Sequence, residues 1–262
     1  MQPQAFDTYA ESYDEHFTNS LIGKAQRNQV YQCLLNELML TDLNVLEVNC
    51  GTGEDANWLF KQSAHVTSTD ISVGMINAAI AKSEKNKAAI DFHVLKAQEI
   101  SSLSSSNFDL IFSNFGGLNC LNYEELREFK MACIEKQSRS NKLALVIMGT
   151  NCLWERLFFW IKRDIVKMKR RRNKHGAETV IDSLSFKTFY YSPTDIQELF
   201  EDHYKSILVK PIGLFVPPSY LEPYVKKRVQ ILNIFIFLDK LFSRFSFFAN
   251  MSDHYMIILE KK

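Results

Sequence analysis

Along the first 150 residues, short apolar runs alternate with longer stretches whose apolar positions recur at helical spacing. The run NVLEV at 44–48 predicts a strand, as do 65–69, 91–95, 108–112 and 142–149. Between them, 54–62, 72–84 and 122–137 read as helices. The first forty residues also read as helical, with Leu34, Leu35, Leu38 and Leu40 near the end of a segment that begins around Gly23. Strands and helices alternating at this spacing imply βαβ units. Their parallel sheet would be covered on both faces, with right-handed crossovers.

After residue 150 the alternation breaks. Trp154, Leu157, Phe158, Ile161, Ile165 and Met168 fall at helical spacing and predict one basic amphipathic helix over 153–172. A sixth strand is expected at 205–210, a turn at Pro217-Pro218, a very apolar helical stretch over 224–248 and a seventh strand at 255–260.

Composition narrows the class of molecule. With 46% hydrophobic residues the chain can bury a full core, and a net charge of +1 excludes a wholly basic surface for gripping nucleic acid. The first residues carry no basic and then apolar leader, and Asp7, Glu11, Asp14 and Glu15 argue against a transit peptide. The most apolar stretch, 229–248, is broken by Asp239, Lys240 and Arg244, so no membrane span is expected. Five cysteines without a Cys-x-x-Cys pair read as reduced thiols of a cytoplasmic protein, with no disulfide frame and no zinc site.

Candidate chemistry concentrates at the ends of the first strands. Glu47 lies near the end of strand one, and Asn49-Cys-Gly51-Thr-Gly53 turns from there into a helix. Small residues let backbone approach a ligand closely, and a helix N-terminus offers free N–H groups. Asp70 ends strand two, where a carboxylate can accept both hydroxyls of a ribose. Ala97-Gln98 and Ser113-Asn114 follow strands three and four. All of these sit at carboxyl ends of parallel strands, where open α/β sheets bind ligands.

Through these residues the chain resembles the class I S-adenosylmethionine-dependent methyltransferases, in particular their quinone-methyltransferase-like (type 11) small-molecule enzymes. The resemblance covers roughly residues 5–150. It implies a Rossmann-like α/β fold: a seven-stranded, mainly parallel sheet with helices on both faces and a helical lid. It further implies one domain over 1–262, with a cap at 1–40, a donor-binding core at 41–150, lid insertions around strand six at 151–250 and the last strand at 253–260. The mobile lid would draw on 1–30, 151–185 and 214–250.

The family motif reads acid-x-Gly-x-Gly-x-Gly, and here asparagine stands at its first glycine. Asparagine tolerates left-handed backbone, so the turn can survive. Carried over by position, Glu47 would hold the donor's amino group, directly or through water. Asn49, Gly51 and Gly53 would form the loop lining its amino-acid portion. Asp70 would bind the ribose, with Ile71 on the adenine and Ala97 and Gln98 at its edge. Asn114 would sit beside the methionine part. The segment from Phe6 to Asp14 resembles a family helix folding over the donor, with Tyr13 as a cap; Arg27 could pair with the donor carboxylate. The plainer readings are packing for Tyr13 and a solvated face for Arg27.

A nicotinamide oxidoreductase is the rival, because Gly51-x-Gly53-x-x-Ala56 followed by Asp70 also fits a dinucleotide fingerprint. Glu47, the Tyr13 helix and the lack of a downstream Tyr-x-x-x-Lys pair count against it. A non-catalytic binding protein of the same fold is the third reading, favoured only by Asn49. The expected acceptor is a small hydrophobic molecule, lipid-like, quinone-like or polyketide-like, held by Phe158, Phe159, Trp160, Phe215, Tyr220, Phe235 and Phe237; the plainer reading is that these rings pack the lid onto the core. No metal is required.

The basic run from Lys162 to Lys174 reads first as a solvated lid face, second as a surface for transient membrane contact and last as a nucleic-acid site. In the resembled family the last strand runs antiparallel, which brings Asp253 and His254 near the acceptor. His254 is then a candidate general base, against the plainer reading of a structural hydrogen bond.

Overall fold

The computed structural model describes Asp7, Ala10, residues 13–181 and residues 184–262. Of the N-terminal signature, Phe6, Thr8, Tyr9, Glu11 and Ser12 lie outside the described residues. The chain alternates as α1 (Leu21–Glu37), β1 (Asn44–Val48), α2 (Glu54–Lys61), β2 (His65–Asp70), α3 (Val73–Lys85) and β3 (Asp91–Val94). Then follow β4 (Leu110–Ser113), α4 (Tyr123–Lys136) and β5 (Lys142–Met148). These match the expected elements to within about two residues, the uncertainty inherent in helix and strand ends.

The sheet is seven-stranded in the order β3-β2-β1-β4-β5-β9-β8, where β8 is Tyr204–Ile212 and β9 is His254–Lys261. β9 alone runs antiparallel, paired with β5 on one side and β8 on the other. This is the seven-stranded, mainly parallel, Rossmann-like sheet expected from the sequence. Successive side chains of a strand point to opposite faces. Leu143, Leu145 and Ile147 therefore pack with Leu126, Phe129 and Phe200, while Ala144 and Val146 pack with Val30, Leu34 and Leu59 on the other face. With both faces covered, the strands read as near-continuous apolar runs.

Beyond β5 the structure departs from the expected pattern. The single helix over 153–172 is instead α5 (Leu153–Ile161), a break, α6 (Ile165–Lys169) and a 3-10 turn over Arg170–Arg172. The break falls at Arg163, whose backbone is left-handed with φ 57°. A hairpin, β6 (Ala177–Ile181) with β7 (Leu184–Thr188), and a helix α7 (Pro193–Phe200) complete this region. Neither was anticipated, although α7 opens on a capping box of Ser192 and Asp195 with proline in its first turn. The apolar stretch at 224–248 resolves into α8 (Glu222–Val225), α9 (Val229–Phe242) and a 3-10 turn over Ser246–Met251.

Two buried carboxylates fasten these segments. Glu222 accepts from the backbone N–H groups of Leu21 and Ile22, at 2.8 and 3.0 Å, so a side chain 200 residues away caps the start of α1. Asp239 accepts from Phe215 and Val216 at 2.7 and 3.0 Å. Ile22, Val216, Leu221 and Leu232 form a small apolar core beneath them.

The turn after β1 depends on left-handed backbone at alternate positions: Asn49 at φ 59°, Gly51 at 54° and Gly53 at 73°. Asparagine adopts this conformation as expected. A Cβ on Gly53 would lie 2.8 Å from that of Ala79, so glycine there lets α2 and α3 approach closely. The Asn49 side chain occupies space that its neighbour concedes. A Cβ on Gly117 would collide with the Cβ of Asn49 and sit 2.8 Å from its Nδ2. Asparagine at 49 and glycine at 117 are therefore matched. Gly117→Ala is expected to destabilise the protein by about 1–3 kcal/mol, the usual cost of overpacking, and Asn49→Gly in the same chain should restore most of it. Thermal unfolding of the two single variants and the double variant measures the coupling; additive losses would refute it.

Candidate active site

Carboxyl ends of β1, β2, β4 and β5 and the start of β9 meet along one edge of the sheet, because β9 runs the opposite way. Above that edge lies a cavity of about 360 Å³. Its floor is Asn49, Gly51, Asp70, Asn114 and Met148, with Asp253 and His254 from β9 and the residue before it. Its roof comes from Tyr13 and Phe17, from Pro218–Tyr220, and from the β6–β7 hairpin through Thr179, Phe186 and Thr188.

Five expected site residues, Tyr13, Asn49, Gly51, Asp70 and Asn114, thus line one chamber. Ile71, Ala97 and Gln98 gather in an adjoining cleft that shares Asn49 with it. Arg27 lies in a side pocket with Tyr13, Asn49, Gly51 and Asn114. Glu47 and Gly53 line neither the chamber nor the cleft. Gly53 begins α2, and Glu47 lies buried beneath the loop, where Ser68 Oγ donates to its Oε2 at 2.8 Å.

Asp70 braces the loop. Its Oδ2 accepts from Gly51 N–H and its Oδ1 from Ser72 N–H, both at 2.9 Å. A carboxylate has lone pairs to spare after two such bonds. Burial raises the Asp70 pKa, and these amides offset part of that rise. Burial also lifts Glu47 well above the ordinary value, with the charge of Asp55 adding to it; Ser68 and Arg27 oppose.

Asp55, in the first turn of α2, is a hub that sequence reasoning did not identify. It pairs with Arg27 at 2.5 Å and accepts from Tyr31 Oη at 2.7 Å and Asn114 Nδ2 at 3.1 Å. Arg27 is therefore buried rather than solvated, and its Nε has no hydrogen-bond partner among the described residues. Phe115 was missed as well. Its backbone is left-handed at φ 45°, a strained setting for an aromatic residue. Its ring stands 4.9 Å from the Arg27 guanidinium, 5.3 Å from Phe17 and 5.4 Å from His254.

The basic run is only partly a solvated face. Arg171 turns inward: Nε donates to Glu155 at 3.0 Å, and NH2 to Asp253 Oδ1 at 2.7 Å. Arg170 grips Glu155 through two bonds at 2.8 and 2.9 Å. Burial alone would raise Asp253, but His254 and Arg171 overcome it and hold its carboxyl far below the usual range. His254 is buried, with Nδ1 3.4 Å from Asp253 Oδ2 but not aligned for a hydrogen bond. Among the described residues no cluster of three or more His, Cys, Asp or Glu could hold a metal ion.

The expected aromatic lining is corrected. Of those seven rings only Tyr220 faces the chamber. Phe158 and Phe235 line a separate apolar groove between α5 and α8–α9, while Trp160 and Phe237 point to solvent.

Residues 45–135 match a family model described as a methyltransferase domain. Over 112 residues the chain is 31% identical to the malonyl-[acyl-carrier protein] O-methyltransferase of Priestia megaterium, covering 42% of this chain and 38% of that one. It thus spans about two fifths of that curated relative, and less than a third of a second. A S-adenosylmethionine-dependent methyltransferase of Methanosarcina mazei superposes with a TM-score of 0.61 at 17% identity, over 88% of this chain and 97% of that one. A Burkholderia thailandensis N1-methyltransferase, solved with 1,6-didemethyltoxoflavin and S-adenosylhomocysteine bound, gives 0.60 at 11% identity, over 99% and 86%. At these identities the structural likeness establishes a shared fold. From β1 to α4 the chain thus matches a methyltransferase domain, and as a whole it shares the fold of the S-adenosylmethionine-dependent methyltransferases.

Proposed function

We propose that the protein transfers a methyl group from S-adenosylmethionine to the oxygen, nitrogen or carbon of a small, hydrophobic acceptor. One observation carries this reading: Asn49, Gly51, Asp70 and Asn114 converge with Asp253 and His254 in a single chamber, and the Ile71, Ala97 and Gln98 cleft opens beside it. The donor supplies an activated methyl group on a sulfonium. Asp70, already fixed by two amides, accepts the ribose hydroxyls. Ile71, Ala97 and Gln98 enclose the adenine. Gly51 and Asn114 line the methionine portion under Tyr13. Arg27, with its unpartnered Nε, is the candidate for the donor carboxylate, and Glu47 acts on the donor amine from beneath the loop. The chain's work is to hold two reactants in line and exclude water.

For an acceptor that must lose a proton, His254 is the proposed base and Asp253 stabilises the charge it gains. The hydrophobic character of the acceptor is supported by the groove beside the chamber. Pro217 and Leu221 line the groove, while Pro218, Ser219 and Tyr220 between them line the chamber. The Phe158 and Tyr220 rings, 5.3 Å apart, stand on the two sides of that thin wall. The nicotinamide alternative is weakened by β9, since a doubly wound dinucleotide fold keeps its sheet parallel in the order 3-2-1-4-5-6.

Calorimetry with S-adenosylhomocysteine and, separately, NADH tests the donor. Homocysteine-nucleoside binding is expected, weakened at least about tenfold in Asp70→Ala by loss of a charge-assisted hydrogen bond. Binding of NADH alone would overturn the proposal, and binding of neither would favour a non-catalytic protein.

Glu47→Gln separates stability from function. Its carboxyl titrates above its ordinary value of 4.5 in the unliganded fold, so its contribution to stability falls as pH rises past that range. The variant should melt higher than the parent at neutral pH yet bind S-adenosylhomocysteine more weakly. A lower melting temperature would contradict the assignment.

A radiolabelled-methyl assay on a membrane-lipid extract tests the acceptor. His254→Ala should slow labelling about 10²- to 10⁴-fold, the range for loss of a general base, with donor affinity unchanged. Full turnover in that variant would eliminate His254 as base, and labelling confined to water-soluble compounds would refute a hydrophobic acceptor.

A further inference from the structure

Two helices of the lid carry large apolar side chains into solvent. On α9, Leu232 and Asp239 face inward, while Ile234, Phe237 and Leu241 recur on the opposite side at helical spacing. Phe237 is 65% exposed. On the neighbouring α5–α6 segment, Trp160, Ile161 and Val166 are 67%, 66% and 82% exposed. Between α5 and α8–α9 runs the apolar groove, with Lys162 and Arg228 on its walls. Monomeric proteins rarely expose contiguous apolar surface on this scale without a use for it.

Charge on this face is sorted. Residues 153–174 hold nine basic and two acidic side chains; residues 222–244 hold five and two. Three of these four acids are buried and occupied: Glu155 by Arg170 and Arg171, Glu222 by the start of α1, and Asp239 by Phe215 and Val216. The fourth, Asp164, caps α6 by accepting from Lys167 N–H. Lys162, Lys167, Lys169 and Lys240 remain exposed. A chain of net charge +1 thereby presents a cationic, apolar face.

We propose that this face docks on an anionic phospholipid surface. α9 lies flat in the headgroup region, its apolar side toward the acyl chains, and the lysines meet lipid phosphates. At 14 residues it is about 21 Å long, too short to cross a bilayer, and among the described residues no helix is long and apolar enough to do so. Exposed charge decides between a membrane and a second copy of the chain. Two such faces would set lysine against lysine, whereas anionic lipid neutralises them. The inference stands apart from the methyl-transfer reading, since docking needs neither donor nor acceptor.

Co-sedimentation of the full chain with vesicles tests it, using phosphatidylcholine alone and an equal mixture with phosphatidylglycerol. The protein should sediment with the mixture, and far less with phosphatidylcholine alone or in high salt. Ile234→Glu with Phe237→Glu should weaken binding about tenfold or more by removing the buried apolar contact. Lys162→Glu with Lys169→Glu should abolish the preference for the anionic mixture. Both pairs lie at exposed positions, so melting temperature and S-adenosylhomocysteine affinity should be unchanged. No sedimentation with the mixture, or undiminished binding by the Ile234/Phe237 variant, overturns the proposal. So does a dimer in ultracentrifugation that the Phe237 substitution dissolves while vesicles bind neither form.

Discussion

A carboxylate under a left-handed loop is the constraint on which the rest of the structure depends. Residues 49–53 cannot follow their path without three positive φ angles, and they cannot hold it without Asp70 accepting from Gly51 and Ser72. That anchoring fixes the edge of the sheet at which β1, β2 and β4 stop, and so fixes where the chamber can be. Asn49 adds a second condition. Its side chain fills the gap that Gly117 leaves, tying the loop after β1 to the loop after β4. Two strand ends that bear on one cavity are thus locked to each other by shape, not only through the sheet.

Buried acids recur as the fastening device throughout residues 151–250. Glu155, Glu222 and Asp239 each satisfy groups distant in sequence, and each is itself satisfied. A buried carboxylate is costly unless its hydrogen bonds are complete, so these contacts specify one arrangement of these segments more than they stabilise it. Arg171 extends the device into the chamber by joining Glu155 on α5 to Asp253 beside β9. A shift of α5 is therefore felt at Asp253, and through it at His254.

The sheet and its binding edge were legible because their causes are local. Apolar runs of four to eight residues bounded by turns announce parallel strands, and Glu47, Asp70 and the glycine pair announce themselves by type and spacing. The region after β5 was not legible, for two reasons. Arg163 breaks the helix by adopting a backbone angle that nothing in the 3.6-residue pattern of 153–172 signals. The inward turn of Arg171 depends on Asp253, 82 residues away, so a run of positive charge read as solvated hides one of the most buried groups of the site. Asp55 is hidden in the opposite way: an acid in the first turn of a helix is indistinguishable in sequence from ordinary dipole compensation. The hairpin of β6 and β7 did leave a signal, since apolar and polar residues alternate along β7, but the helical pattern just before it dominated the reading.

The position of β9 bears on how the molecule is made. β8 pairs with nothing in the sheet except β9, and β5 has one edge that only β9 can fill. Translation delivers these strands in the order β5, β8, β9, so during synthesis two unpaired edges wait for the strand that joins them. Unpaired edges recruit other chains. Between emergence of β8 and emergence of β9 both edges stand open, and the wall of the chamber that β9 supplies through His254 closes only when they are joined.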